Sequence, residues 1–253
     1  MKLLRDIRLV FQRYVWLLIR NPAWVVIGVL QPVLYLVLFA PLLKSIANTS
    51  GFPPGGAYNV FVPGLLIQLG LFSASGVGFS LIAELRGGVI ERLRVTPVSR
   101  LALLLGRALR DVVNLVVQAT ILVLLSLPFG LTIDFAGLAV MLGLLALTGL
   151  LFASISYALA LALKSEDAFA PLFFAASLPM LLLSGVLLPL SLAPTWLQNI
   201  AKINPLSYAV EGARAIFNAH LGDPSVARSL IIMACLAAIA VVTASRSFSK
   251  AVA

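Results

Sequence analysis

The sequence predicts an all-α integral membrane protein with six transmembrane helices, an N-terminal interfacial helix, a cytoplasmic helical stretch and a re-entrant extracellular helix pair before the last span. The 253 residues are 61% hydrophobic and 11% charged, whereas soluble domains carry about 25% charged residues. The mean hydropathy is +1.09. Six apolar blocks reach the length of about 20 residues that a helix needs to cross the hydrocarbon. These observations exclude a soluble globular domain.

The first 22 residues predict a helix that lies at the membrane surface. Apolar residues recur at helical spacing, and Arg5, Arg8 and Arg13 interrupt every apolar core that a cleaved signal peptide would need. We therefore expect the segment to be retained as an interfacial helix. The alternative is a polar start to the first span, which would bury these charges in hydrocarbon at a cost of several kcal/mol.

The apolar blocks predict the spans of a single transmembrane domain that covers residues 1–253. The predicted spans are residues 23–43, 60–83, 109–129, 135–163, 168–190 and 225–244. Glycine, serine and alanine between Gly70 and Gly78 form a small-residue face that suits close helix approach. Pro171, Pro179 and Pro189 predict that the fifth span is kinked or stops at membrane level.

Three polar residues lie inside predicted spans and are candidates for lining a transport path: Gln31, Asn114 and Gln118. The alternative for all three is hydrogen bonding between neighbouring helices.

The basic residues are distributed unevenly between the two sides of this topology. Fourteen of the 18 Lys and Arg residues fall on the side of the termini, and four fall on the other side. The positive-inside rule therefore places both termini and residues 84–108 in the cytoplasm, and residues 191–224 outside. Nucleic acid is not expected as a partner, because the basic residues are not gathered on one polar domain.

The densest cluster of charges lies between the second and third spans, in residues 84–108. Pro97 disfavours a helical conformation in Thr96 and suits the first position of a new helix, so a helix, an elbow and a second helix are predicted. Gly87 and Gly88 each weaken a helix by about 1 kcal/mol relative to alanine, so the first limb is expected to be bent or short. The alternative is an ordinary cytoplasmic loop that obeys the charge rule.

This stretch resembles the cytoplasmic loop of ABC-2 type exporter permeases, particularly the antibiotic-resistance branch that includes the daunorubicin exporters. The motifs that carry the resemblance are Glu91-Arg92-Leu93, Val95-Thr96-Pro97-Val98-Ser99-Arg100 and Leu103-Leu104-Leu105-Gly106-Arg107. The resemblance implies that the loop contacts a separate ATPase subunit. The candidate coupling residues are Glu84, Arg86, Gly87, Gly88, Glu91, Arg92, Arg94, Thr96, Pro97 and Arg100. Relatives tend to place acidic residues before a single glycine, where this chain has Arg86-Gly87-Gly88.

A second motif, between Ser184 and Tyr208, is also similar to that family. In this family the corresponding region forms a re-entrant helix pair that caps the transport path on the outer side. This role is assigned to Gly185, Pro189, Trp196, Asn204, Pro205 and Tyr208. The alternative is an extracellular connection in which Trp196 and Tyr208 anchor the chain at the bilayer interface.

The resemblance implies a permease subunit, not an enzyme, that exports an amphipathic drug, a lipid or a glycolipid. It also implies a dimer of identical or related permease chains with two ATPase subunits, in the cytoplasmic membrane of a prokaryote. The sequence contains no Gly-x-x-x-x-Gly-Lys-Ser/Thr phosphate loop, so ATP and Mg are expected on the ATPase partner and no cofactor on this chain.

Two other classes of function remain open. A secondary transporter or channel would need no ATPase, although such proteins usually carry ionisable residues inside their spans. An intramembrane serine protease would pair Ser73 or Ser75 with His220. The chain has one histidine and one cysteine, so no zinc site is expected.

Overall fold

The computed structural model describes residues 2–21, 23–39, 41–42, 56–89, 100–132, 134–187 and 189–251. Within these ranges the protein is helical and contains no β-strand, so the predicted all-α class is confirmed. The α-helices described are α1 Lys2–Arg20, α2 Ala23–Leu38, α3 Gly56–Arg86, α4 Arg100–Ser126, α5 Phe135–Leu163, α6 Glu166–Leu182, α7 Thr195–Ala201, α8 Pro205–Phe217 and α9 Pro224–Ala251.

Four helical segments in the described part of the chain are long and apolar enough to cross a membrane. They are α3, residues 105–129, α5 and residues 224–247. The pair α1 and α2, bent by 66° at the break between them, would add a fifth if the two form one broken span. Helix α6 has only 17 residues, fewer than a straight span needs. The arrangement of six spans therefore stays a prediction.

Several helix bounds differ from the predicted spans. Helix α5 has the predicted bounds, but α4 begins at Arg100, so the motif residues from 100 to 107 lie in the same helix as the third span. Helix α6 contains Pro171 and Pro179 and ends at Leu182, whereas the predicted span runs to residue 190. The chain turns away there, and Gly185 adopts a positive φ of 76°.

Helix α5 lies at the centre of the bundle and contacts α3, α4, α8 and α9. Gly70, Ala74 and Gly78 recur every four residues on α3 and face this helix. Ser156 of α5 donates its hydroxyl to the Ala74 carbonyl oxygen at 2.6 Å, and a Cβ at Gly78 would lie 2.6 Å from the same hydroxyl oxygen. Gly76, by contrast, faces open space. Part of the predicted small-residue face is therefore a helix contact.

Candidate functional site

The two ends of the bundle each carry a buried polar junction. The Arg107 junction is formed by Tyr14, Glu84, Arg107, Arg110, Asp111 and Tyr157. It lies where α3 ends and α4 begins, at the base of the predicted coupling region. The Arg214 junction is formed by Asn59, Val60, Met180, Gly185, Asn204 and Arg214. It lies at the other end of the bundle, where α3 begins and α6 ends. It contains part of the predicted re-entrant motif.

Arg107 is the centre of the first junction and is only 6% exposed. Its guanidinium forms an ion pair with Glu84. The Tyr14 hydroxyl accepts hydrogen bonds from Arg107 Nε at 2.8 Å and Nη2 at 2.5 Å, and it donates to Glu84 Oε2 at 2.9 Å. These charge-assisted bonds join α1, α3 and α4 in one closed network.

Gly106 explains why α1 lies close enough to α4 for this network to form. A Cβ at Gly106 would lie 2.6 Å from Val10 Cγ1 and 3.1 Å from the Ile7 carbonyl oxygen. Tyr14 follows Val10 by about one helical turn, so it faces the same side of α1. The adjacent residues Gly106 and Arg107 therefore act together: the glycine admits α1, and the arginine ties it to α4.

The same junction extends to α5 through Asp111. The Tyr157 hydroxyl donates to Asp111 Oδ2 at 2.6 Å, and Arg110 Nη1 donates to Asp111 Oδ1 at 2.5 Å. A small cavity lies between these side chains and Ser80 of α3. Two arginines face two carboxylates, so the formal charges balance and the arrangement suits a structural tie between helices.

The structure places four of the predicted coupling residues near this junction. Glu84 belongs to it, whereas Arg86 forms an exposed ion pair with Glu166 at 3.7 Å. Gly87 and Gly88 form the turn that ends α3, and Gly88 has a positive φ of 65°, a conformation that favours glycine at helix ends.

Of the remaining predicted coupling residues, the structure describes only Arg100. Arg100 is the first residue of α4. Glu91, Arg92, Arg94, Thr96 and Pro97 lie outside the described residues, and so does the predicted elbow.

Arg214 of α8 is the centre of the second junction. Its Nε donates to the Val60 carbonyl oxygen of α3 at 3.0 Å, and its Nη2 donates to the Gly185 carbonyl oxygen at 2.6 Å. A Cβ at Gly64 would lie 2.6 Å from the Val186 carbonyl oxygen, so the turn after α6 lies directly on α3. Burial lowers the pKa of Arg214 to about 10, so the guanidinium is protonated at neutral pH.

Asn204 and Pro205 begin α8 and tie it to α6. Asn204 Oδ1 accepts a hydrogen bond from the Leu206 N–H at 3.0 Å, which caps the helix. Its Nδ2 donates to the Met180 carbonyl oxygen at 2.6 Å. Pro205 occupies the first helical position, where its missing N–H leaves no bond unmade. The Asn-Pro pair thus has a local capping role as well as a tertiary one.

The other residues of the re-entrant motif lie outside the Arg214 junction. Pro189 precedes a short 3-10 turn, and Trp196 of α7 is 62% exposed. The Tyr208 hydroxyl donates to the Lys202 carbonyl oxygen at 2.8 Å. Helix α8 has 13 residues and is too short to cross a bilayer. Whether α7 and α8 re-enter the membrane stays a prediction.

The predicted path-lining residues occupy three different environments. Gln118 is 2% exposed, and its Nε2 lies 3.4 Å from the Val25 carbonyl oxygen of α2. Gln31 is exposed on α2. Asn114 is half-buried, and its Oδ1 has no hydrogen-bond partner within the described part of the chain. Gln68, which the sequence did not single out, is 1% exposed in α3.

Among the junction residues that sequence patterns did not single out are Tyr14, Asn59, Tyr157 and Arg214. Tyr14 fits the apolar face of α1, and Arg214 enters only the count of basic residues. The partner of Tyr14 on α4 lies 93 positions away, so no local pattern reports the contact. An ionisable or hydroxyl-bearing residue near the end of a predicted apolar helix is the only sequence signal available.

The structure does not bring together the residues of the serine protease alternative, Ser73 or Ser75 with His220. The hydroxyls of Ser73 and Ser75 donate to carbonyl oxygens of their own helix at 3.1 and 2.7 Å. His220 is exposed in the turn that follows α8. Among the residues that the structure describes, no three His, Cys, Asp or Glu side chains group as a possible metal site.

Comparison with known proteins identifies relatives over most of the chain. A family model described as ABC-2 type transporter matches residues 5–218. A protein named as the transport permease ycf38 of Pyropia yezoensis is 32% identical over 221 residues, which cover 85% of this chain and 75% of that protein. The daunorubicin resistance ABC transporter permease DrrB1 of Streptomyces coeruleorubidus is 26% identical, with 83% and 74% covered. A protein named as the multidrug ABC transporter permease YbhR of Escherichia coli is 27% identical, with 66% and 46% covered.

Proposed function

Because this chain belongs to the ABC-2 type transporter family, we propose that it is the membrane-spanning permease subunit of an ATP-driven exporter. The Arg107 junction is the observation that carries the proposal. It ties α1, α3, α4 and α5 together at the helix ends that flank the stretch resembling a coupling loop. A force applied to that stretch would reach four helices through it.

The proposed mechanism separates chemistry from transport. ATP and Mg bind to a separate ATPase subunit, whose movement displaces residues 84–108. Since α4 is one helix from Arg100 to Ser126, displacement of its first turns also moves its membrane-level part. The end of α3 moves together with α4, because the ion pair between Arg107 and Glu84 joins the two helices.

The complete exporter is proposed to contain two permease chains, identical or related, and two ATPase subunits. The cargo is proposed to be amphipathic: a drug, a lipid or a glycolipid. Both termini lie in the cytoplasm, and the helix pair α7 and α8 closes the outer side of the path.

Copurification is the experiment that tests this function. The chain is extracted in mild detergent and bound proteins are identified by mass spectrometry, with an ABC ATPase expected in stoichiometric amount. In a double variant, Glu91→Ala with Arg92→Ala, the amount of bound ATPase is expected to fall. An exposed ion pair contributes only about 0–1 kcal/mol, but a partly buried hydrogen-bonded pair contributes several times more.

A control variant replaces Arg246 and Lys250 with alanine, which removes charge from the same predicted side without touching the coupling stretch. Unchanged ATPase binding, hydrolysis and export in the Glu91 and Arg92 variant would show that residues 84–108 are only a cytoplasmic loop. Transport by the purified chain without any ATPase would instead favour a secondary transporter or channel.

A further inference from the structure

We propose that Arg214 is a positioning residue that holds the outer end of the permease closed, by tying α8 both to the start of α3 and to the turn after α6. The terms outer and closed rest on the proposed function. The hydrogen bonds of Arg214 are made within this one chain, so they do not depend on the proposed function.

One guanidinium joins three elements. Arg214 reaches the Val60 carbonyl oxygen, 154 positions away in the sequence, and the Gly185 carbonyl oxygen, 29 positions away. The planar fork of a guanidinium places several N–H donors in fixed directions, so it can serve two separate acceptors at once. A lysine ammonium has the same charge, but its three N–H donors leave a single nitrogen, so it lacks the two separate nitrogens with which Arg214 bonds the Val60 and Gly185 carbonyl oxygens.

The partners of Arg214 make the tie reversible. Both hydrogen-bond acceptors are neutral backbone carbonyls, whereas Arg107 at the other end of the bundle is paired with a carboxylate. A buried carboxylate left without its cation is strongly unfavourable, but a carbonyl oxygen can exchange the arginine for water at small net cost. The two arginines therefore suit different tasks: Arg107 a permanent tie, and Arg214 a tie that can open.

The surrounding contacts determine which surfaces separate when this tie opens. Two amide hydrogen bonds lie near the two ends of α8: Asn204, its N-cap, donates to the Met180 carbonyl oxygen of α6, and Asn59 of α3 donates to the Phe217 carbonyl oxygen of α8 at 3.2 Å. Among the side-chain hydrogen bonds described for α8, only those of Arg214 join it to both α3 and the turn after α6. Helix α8 therefore cannot leave either element without first releasing one of the two arginine bonds.

Accessibility of the turn after α6 tests the proposal without an ATPase. Ser184 is 1% exposed in this turn, so Ser184→Cys, in a Cys235→Ala background, should react slowly with a membrane-impermeant maleimide in the purified protein. Adding Arg214→Lys should raise the labelling rate by about tenfold, the effect of weakening one hydrogen bond to a charged group. Arg214→Met should raise it at least as much.

Arg228→Met is the matched control, because it removes one exposed positive charge from the same predicted side. It should leave labelling unchanged. Labelling of Arg214→Lys at the parent rate would overturn the proposal, and so would an equal rise with Arg228→Met. Should Arg214→Met fail to fold, the lysine variant, which retains the charge, still decides the question.

A second measurement separates closing from mere stability. In vesicles with the ATPase partner, Arg214→Lys should raise the number of ATP molecules hydrolysed per cargo molecule exported. An outer end that opens without cargo transport would uncouple ATP hydrolysis from export. Its unfolding temperature should fall by no more than about 5 °C relative to Arg228→Met, the shift expected when one hydrogen bond is weakened. A lower unfolding temperature with an unchanged ratio would show a structural role only and would overturn the proposal. Absence of a bound ATPase would contradict the exporter assignment but leave the labelling result intact.

Discussion

At the scale of single residues, burial distinguishes two arginines that the sequence places in one charged stretch. Arg107 has a side chain 7% exposed and pairs with Glu84, which is 19% exposed. Arg86 is 54% exposed, and its partner Glu166 is 41% exposed. Water screens the second pair but not the first. The two pairs should therefore contribute differently to stability although both are Arg–Glu pairs at the same end of the bundle.

Arg107→Met is expected to lower the free energy of unfolding by about 3–5 kcal/mol, because it leaves the Glu84 carboxylate buried without its cation. Arg86→Met is the matched control and should cost about 0–1 kcal/mol. Denaturant unfolding in detergent micelles, followed by circular dichroism, measures both values. Equal losses in the two variants would contradict the assignment of Arg107 as a buried tie.

At the scale of elements, a glycine determines whether α1 can pack on α4. Gly106→Ala would place a methyl group 2.6 Å from Val10 Cγ1, so α1 must shift or Val10 must change rotamer. We expect this variant to be destabilised by about 1–3 kcal/mol, as in overpacked cores. The unfolding temperature in detergent is the measurement.

Gly143→Ala is the control for this experiment, because a Cβ at Gly143 meets no atom within 4 Å. Alanine there should be neutral or stabilising by up to about 1 kcal/mol, the difference in helix propensity. The two glycine variants are thus expected to change stability in opposite directions. A destabilised Gly143→Ala protein would show that the glycine effect is not specific to the contact between α1 and α4.

The turn that ends α3 gives a second prediction at this scale. Gly88→Ala is expected to strain the turn by about 1–2 kcal/mol, because its φ of 65° is unfavourable for a residue with a Cβ. The direction in which the chain leaves α3 should change, so export per ATP should fall while ATPase binding is retained. Gly87→Ala, whose φ is not positive, should have a smaller effect. Identical coupling ratios in both variants would argue against a role for this turn.

At the scale of the whole molecule, hydrogen bonds and ion pairs place the helix ends in two groups. Contacts between Glu84 and Arg107, and between Asp111 and Tyr157, bring the end of α3, the start of α4 and the end of α5 together. Asn59 binds the Thr132 hydroxyl at 2.8 Å at the opposite end. This alternation agrees with an antiparallel bundle and with a coupling region on one side of the membrane.

Thiol labelling in intact cells tests which side that is. In a Cys235→Ala background, cysteines introduced as Asn48→Cys or Ser191→Cys should react with a membrane-impermeant reagent, because both positions are predicted outside. Ser99→Cys should react only after the cells are opened. Labelling of the Ser99 variant from outside would invert the topology, and the coupling region could then not contact a cytoplasmic ATPase.

The local sequence was sufficient for much of the architecture. Apolar block length predicted the helical class, and the predicted span 135–163 coincides with α5. The end of α6 was less predictable. Pro171 and Pro179 lie inside that helix, which instead ends where Gly185 allows the chain to turn. Several proline and glycine residues near this turn could each end the helix, so the sequence does not select one of them. In the folded protein the turn after α6 packs against Gly64 of α3.

By itself, the sequence determined that this chain is an α-helical membrane protein and which family it belongs to, because hydropathy and motifs are properties of contiguous residues. Only the tertiary structure decided which polar residues meet. Tyr14 joins Arg107 and Glu84, and Arg214 joins Val60 and Gly185, across separations from 29 to 154 positions. Such pairs depend on how helices are packed, and the hydrophobic pattern that drives packing does not encode which polar atoms are brought within hydrogen-bonding distance.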